Sequence, residues 1–104
     1  LAKIGRLYLN KGVWDGKRIV SESWIEQSTA YSADNEGYHF CWYNTSCIGA
    51  DKADYPGYYA MGIRGQILFV NPYKNLIMVR LGMKEDTYAH IPYLFEQLSN
   101  IWPE

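Results

Sequence analysis

No apolar run in this sequence approaches the roughly 18 residues needed to cross a bilayer, so no membrane-spanning helix is expected. Charge of one sign is equally scarce. Lys and Arg number 10 against 11 Asp and Glu, a net charge of −1 scattered along the chain, which leaves no basic footprint for phosphate backbones. Neither a membrane nor a nucleic acid is therefore expected as a partner. Cysteine is limited to Cys41 and Cys47, which lack a metal-ligand spacing such as C-x-x-C. His39 and His90 have no acidic or Cys neighbour at ligand spacing, and Asp51, Asp54, Glu85 and Asp86 form no paired-carboxylate pattern. No metal and no cofactor is predicted. The two thiols read either as free, small buried hydrophobes or as a short-loop disulfide in an oxidising compartment. A signal-peptide pattern, repeats and low-complexity tracts are also missing.

What the sequence does have is aromatic side chains, 10 Tyr, 4 Trp and 3 Phe, which suit a core, a cleft or an interface. Its 104 residues allow one domain at most, and a unit this small buries only about 60–68% of the surface its unfolded chain exposes. Leu1, Ile4, Leu7 and Tyr8 repeat at helical spacing from the first residue, with no Met, cap or leader before them. This predicts a chain that continues a longer protein, residues 1–104 forming one domain that is a fragment of a larger one.

Local signals divide the chain into elements. A first helix over about residues 1–10 should end at Gly12, which can take the left-handed conformation. Asp15-Gly16 predicts a tight turn between short extended arms. Ser21 is an N-cap for a second helix over about residues 22–28, with Val20 stapling to Ile25 and with Trp24, Ile25 and Ser28 on its buried face. After a polar loop over residues 30–36, the aromatic run 38–43 reads as a strand. Residues 45–56 read as an exposed excursion. Strands follow at about 58–61, 65–70 and 76–81, the last two joined at Asn71-Pro72-Tyr73-Lys74-Asn75 as an antiparallel hairpin. Neither hairpin arm alternates between apolar and polar, which predicts cover on both faces. A final helix over about residues 88–101 tolerates Pro92 in its first turn and aligns Ile91, Leu94, Phe95, Leu98 and Ile101 on one stripe. The class is α+β: an antiparallel sheet of about four strands, a C-terminal helix packed on one face and N-terminal helices beside or behind it.

The segment richest in information is 58–81, YYAMGIRGQILFVNPYKNLIMVRL, where Gly62 and Gly65 bracket Ile63 and Arg64. Residues without Cβ permit a sharp bend or the close approach of a ligand. The run A-x-G-x-x-G-Q, an apolar strand, N-P and a second apolar strand ending in R-L-G resembles the C-terminal part of serine hydrolases related to class C β-lactamases. These include penicillin-binding-protein-like esterases and aminohexanoate-oligomer hydrolases. The stretch LAKIGRLYLNKGVWDGKRIVSESWIEQS is similar to the segment that precedes it in the same family. Together they cover residues 1 to about 101, residues 32–56 being the least diagnostic.

The resemblance implies a partial β-lactamase/transpeptidase-like fold and acyl-enzyme hydrolysis of a small ester, amide or peptide-like substrate. Ala60-Met61-Gly62 would be the substrate-binding edge strand, written K-T-G in β-lactamases. The backbone N–H of Ile63 would be one oxyanion donor and Gly65 and Gln66 the structural corner, with Gln66 anchoring it through backbone hydrogen bonds. Arg64 reads either as a cation for the substrate or as a solvated turn arginine. Without Lys or His at position 60, an esterase or amidase is implied before a lactamase. The family's S-x-x-K nucleophile is absent: none of Ser21, Ser23, Ser28, Ser32, Ser46 and Ser99 is followed three residues later by Lys. No Y-x-N in a credible context replaces the second motif, since Tyr8-Leu9-Asn10 falls in the first helix.

In the family, a helical region carrying the nucleophile covers the sheet's second face, and that region is not in this chain. The expected partner is therefore the remaining helical region of the same protein, with self-association as another outcome. By itself the chain should be inactive. The resemblance favours a periplasmic or secreted location. Two further readings stand beside it: a non-catalytic binding or accessory module on the same scaffold, and a structural domain whose glycine corner is a packing device.

Overall fold

A computed structural model describes residues 1–30, 38–44, 57–82 and 91–103. Helix α1 (Ala2–Leu9) ends one residue earlier than the apolar spacing predicts, because both Lys11 and Gly12 take left-handed φ, 58° and 91°. The Gly12 N–H donates to the Leu7 carbonyl at 2.9 Å, and its own carbonyl accepts the N–H groups of Ile19 and Val20. A Cβ at Gly12 would collide with the Val20 carbonyl, so glycine is required there. The Asp15-Gly16 turn forms as expected, with φ of 49° and 76°, and joins β1 (Val13–Trp14) to β2 (Lys17–Arg18) as a separate antiparallel ribbon. Ser21 caps α2 (Glu22–Thr29), its Oγ accepting the Trp24 N–H at 3.2 Å. Ile25 and Ser28 are buried. Trp24, expected on the same face, is exposed and lies against Phe40 instead, ring centroids 4.9 Å apart.

The main sheet is antiparallel and has five strands in chain order: β3 (Tyr38–His39), β4 (Trp42–Asn44), β5 (Tyr58–Gly62), β6 (Gln66–Asn71) and β7 (Leu76–Arg80). The fifth strand arises because the run 38–43, expected as a single strand, folds back on itself. Phe40 and Cys41 take φ of 48° and 72° and turn the chain, and Tyr38 then pairs with Tyr43 across the two short arms. Cys41 is an exposed free thiol. Cys47, His90, Ser32, Ser46, the four loop carboxylates named above, residues 31–36 of the polar loop and the excursion at 45–56 lie outside the described residues.

β6 is an interior strand, between β5 and β7, and its alternate side chains enter two cores. Leu68 and Val70 join Trp42 and Tyr58, with Tyr8 and Leu9 of α1 packed on them. Ile67 and Phe69 join Tyr59 on the other face, against α3 (Ile91–Ile101) through Ile91 and Phe95. Full burial of each large apolar side chain contributes about 1.5–3 kcal/mol. Both faces of β6 are therefore covered, and the face expected to await a missing helical region carries α1. β7 is an edge strand and is only partly covered.

Helices α1 and α3 seat only part of their apolar stripes on the sheet. On α1 the buried residue is Gly5, while Leu1 and Ile4 are exposed. A Cβ on Gly5 would stand 2.9 Å from Leu68 Cδ1 and 3.0 Å from Ile77 Cγ2, so the helix backbone lies directly on the sheet. On α3 the expected stripe is divided. Ile91 and Phe95 face the sheet, but Leu94, Leu98 and Ile101 are exposed, and Pro92, Glu96 and Ser99 are the buried residues. Polar demand from the sheet explains the rotation. Gly57 N–H donates to Glu96 Oε2 at 3.3 Å, and Asn71 Nδ2 donates to Ser99 Oγ at 2.6 Å. Buried polar groups left without partners would cost more than the exposed leucines do. Residues 88–90, the expected first turn of this helix, lie outside the described residues.

Candidate functional site

The ladder between β4 and β5 consists of Asn44 with Tyr58 and Tyr43 with Tyr59, and it stops there. Ala60, Met61 and Gly62 continue β5, paired only on the other side, with Leu68, Ile67 and Gln66 of β6. Among the described residues this leaves three residues of strand with one open backbone edge. Met61 is 38% exposed and Gly62 is exposed. Gly62 is extended at φ −116°, a conformation open to any residue, and a Cβ there would meet only Gln66 side-chain and carbonyl atoms, the nearest at 3.4 Å. The fold does not need glycine at 62. What its missing side chain leaves is a bare strand edge.

Ile63, Arg64 and Gly65 form the turn from β5 into β6, a 3-10 turn broken by the left-handed Arg64 (φ 62°, ψ 25°) and followed by Gly65 at φ 78°. Ile63 is the first residue of that turn, and an N–H at this position has no acceptor within the turn. Its side chain is 74% exposed. Arg64 projects from the same corner and is exposed, whereas Gly65 is buried. The residues singled out in the sequence, Ala60 to Gln66, thus form one continuous open edge and corner.

Three groups hold the corner from behind. The Gln66 side-chain amide exchanges two hydrogen bonds with the backbone of Gly82, Nε2 donating to the carbonyl and Oε1 accepting the N–H. Arg80 Nη1 donates to the Gly65 carbonyl at 2.7 Å and reaches the Arg64 carbonyl at 3.5 Å. At Gly82 a Cβ would lie under 3.0 Å from both the Arg64 carbonyl oxygen and Arg80 Nη1, so this is a second position where only glycine fits. Sequence reasoning saw R-L-G as the end of a strand and missed this use of Arg80 and Gly82. The one available signal was a glycine placed just after an apolar strand.

The described residues supply no nucleophile–base pair. Ser21 caps α2, Ser23 donates to Ser21 Oγ, Ser28 donates to the Ile25 carbonyl and Ser99 accepts from Asn71; none has a Lys or His partner. Burial pushes the Tyr58 phenol well above its ordinary value, with the neighbouring Tyr8 adding to the shift. Tyr58 is therefore protonated at neutral pH and is no base. The Tyr38 phenol is also raised, first by its hydrogen bond with Cys41.

No protein-family model matches the chain. It is similar to the 6-aminohexanoate-dimer hydrolase of Paenarthrobacter ureafaciens, with 30% identity over a 96-residue alignment, and 83% of this chain is covered. The similarity is thus to a hydrolase, and this chain spans 24% of that relative's length.

Proposed function

We propose that this chain is the C-terminal portion of a β-lactamase-like serine hydrolase that cleaves an ester or amide through an acyl-enzyme. The observation that carries the reading is the open edge of Ala60-Met61-Gly62 running directly into Ile63, whose N–H begins a turn. A substrate laid along that edge pairs with the strand backbone, and its carbonyl oxygen meets the Ile63 N–H. The serine and its lysine come from the rest of the protein. The serine Oγ attacks the carbonyl carbon as its proton passes to the lysine. Negative charge then develops on the oxygen held by Ile63 N–H and the serine's own N–H. Collapse breaks the bond to the leaving group, which takes the proton, and water releases the acyl group by the same route. Arg64 offers a cation at the corner for an anionic end of the substrate. The uncharged Ala60 favours esters and open-chain amides over lactams, and the dimer in the relative's name is the first substrate to try.

The test is made in the full-length protein. Ile63→Val keeps the N–H and should leave turnover nearly unchanged. Ile63→Pro removes the donor and should lower turnover by on the order of 10²–10³, read only after thermal melting shows that the variant is folded. Near-normal turnover by a folded Ile63→Pro enzyme would sink the donor assignment. A full-length protein without S-x-x-K, and without trapping by an acyl-phosphonate, would leave the chain a binding module.

A further inference from the structure

An oxyanion donor works only if its N–H is fixed before charge develops, because a donor that must reorient loses most of its effect. The corner that presents Ile63 has little to fix it by itself. It joins two strands with three residues, and two of them, Arg64 and Gly65, are left-handed. Its β5 side is open at Ala60-Met61-Gly62. The constraint comes from the far side of β6. Arg80, opposite Ile67 in the β6–β7 ladder, sends Nη1 to the carbonyls of Gly65 and Arg64. Gln66 is tied to Gly82 by both atoms of its amide. Gly82 lets its backbone come close enough to the Arg64 carbonyl for both contacts to exist at once.

We propose that Arg80 is a positioning residue for the Ile63 oxyanion donor, acting with the Gln66–Gly82 amide pair to hold the corner's peptide planes; this rests on the hydrolase reading above. Arg80 touches no substrate. Its guanidinium is spent on corner carbonyls, Nη1 alone reaching both of them.

The experiment uses the full-length hydrolase with p-nitrophenyl butyrate as substrate and a boronic acid as the probe of the oxyanion site. The boronic acid's tetrahedral serine adduct places an oxygen where the oxyanion forms. Arg80→Met should lower kcat, per active site titrated with phosphonate, by about ten- to a hundred-fold, as a shift of about 1 Å in a reacting geometry does. KM should stay within about two-fold, and boronic-acid affinity should fall by the same factor as kcat/KM. Arg80→Lys should fall between the two. A merely structural role would lower the melting temperature and the titratable fraction while leaving kcat per site and boronic-acid affinity intact, and that result overturns the proposal. If Arg80→Met does not fold, Arg80→Lys carries the same comparison, with unchanged kcat per site and affinity again overturning it. The Ile63→Pro variant separates the two ideas. Should it be inactive while the Arg80 variants behave as wild type, positioning by Arg80 fails and the donor stands; should it turn over normally, the donor fails and the proposal goes with it.

Discussion

Asn71 and Ser99 share a hydrogen bond of 2.6 Å, with neither residue accessible to solvent. Asn71 also accepts the N–H groups of Tyr73 and Lys74 at 3.0 and 3.2 Å, so one side chain both shapes the β6–β7 turn and receives α3. Asn71→Ala should therefore destabilise the chain by roughly 2–4 kcal/mol, the sum of lost bonds and buried groups left unpaired, and Ser99→Ala by about 1 kcal/mol. Urea unfolding reads both. Equal losses would mean that the turn contacts contribute nothing.

Gly5 sets the distance between α1 and the sheet. Gly5→Val should cost about 1–3 kcal/mol by overpacking against Leu68 and Ile77. Gly5→Ala should cost less, since the better helix propensity of alanine offsets part of the clash. A valine variant as stable as the parent in thermal melting would show that the helix can lift off freely.

Tyr58 gives a pH signature. Its folded pKa is raised above the unfolded value, near 10, so its contribution is fully present below pH 10 and is lost as the pH rises toward the folded pKa. The slope is about 1.4 kcal/mol per pH unit for one group. Replacing Tyr58 with Phe should flatten the decline of stability above pH 10 relative to the parent. Parallel pH profiles for the two proteins would rule out Tyr58 as its source.

Leu94, Leu98 and Ile101 of α3, with Leu1 and Ile4 of α1, remain exposed, Ile101 at 79%. Apolar patches above a few hundred Å² usually mark an interface. The 104-residue chain alone should self-associate, and, on the function proposed above, joining it to the rest of that protein should suppress the association. Sedimentation of a monomer at high concentration, with no binding of a dye for apolar surface, would contradict this.

Elements set by local chemistry were legible in the sequence. The Asp15-Gly16 turn, the Ser21 cap and the Asn71–Asn75 hairpin each rest on residues whose preferences act within four or five positions. The stripes on α1 and α3 were legible as stripes but not as to what they face. Hydrophobic spacing identifies an amphipathic helix, while the rotation of α3 is chosen by the Gly57–Glu96 and Asn71–Ser99 pairs, which meet only after folding. Residues 38–43 misled because nothing in Phe40-Cys41 announces a left-handed turn; it is aromatic pairing across the arms that accompanies it. The glycine corner could be located from its spacing. Its clamp could not, since Arg80 and Gly82 reach it through strand register.

The order of the five strands is the order of the chain, so every ladder closes between neighbours in sequence. Such a meander has little loop-closure entropy to overcome, and its strands can zip one after another on the timescale of hairpins. α1 is different, because it must return from the opposite end of the chain to reach β6 and β7. The sheet should therefore assemble first and α1 dock late, which makes the approach of Gly5 to Leu68 a closing event of folding. In hydrogen exchange the amides of β6 should be the last to open and those of α1 among the first.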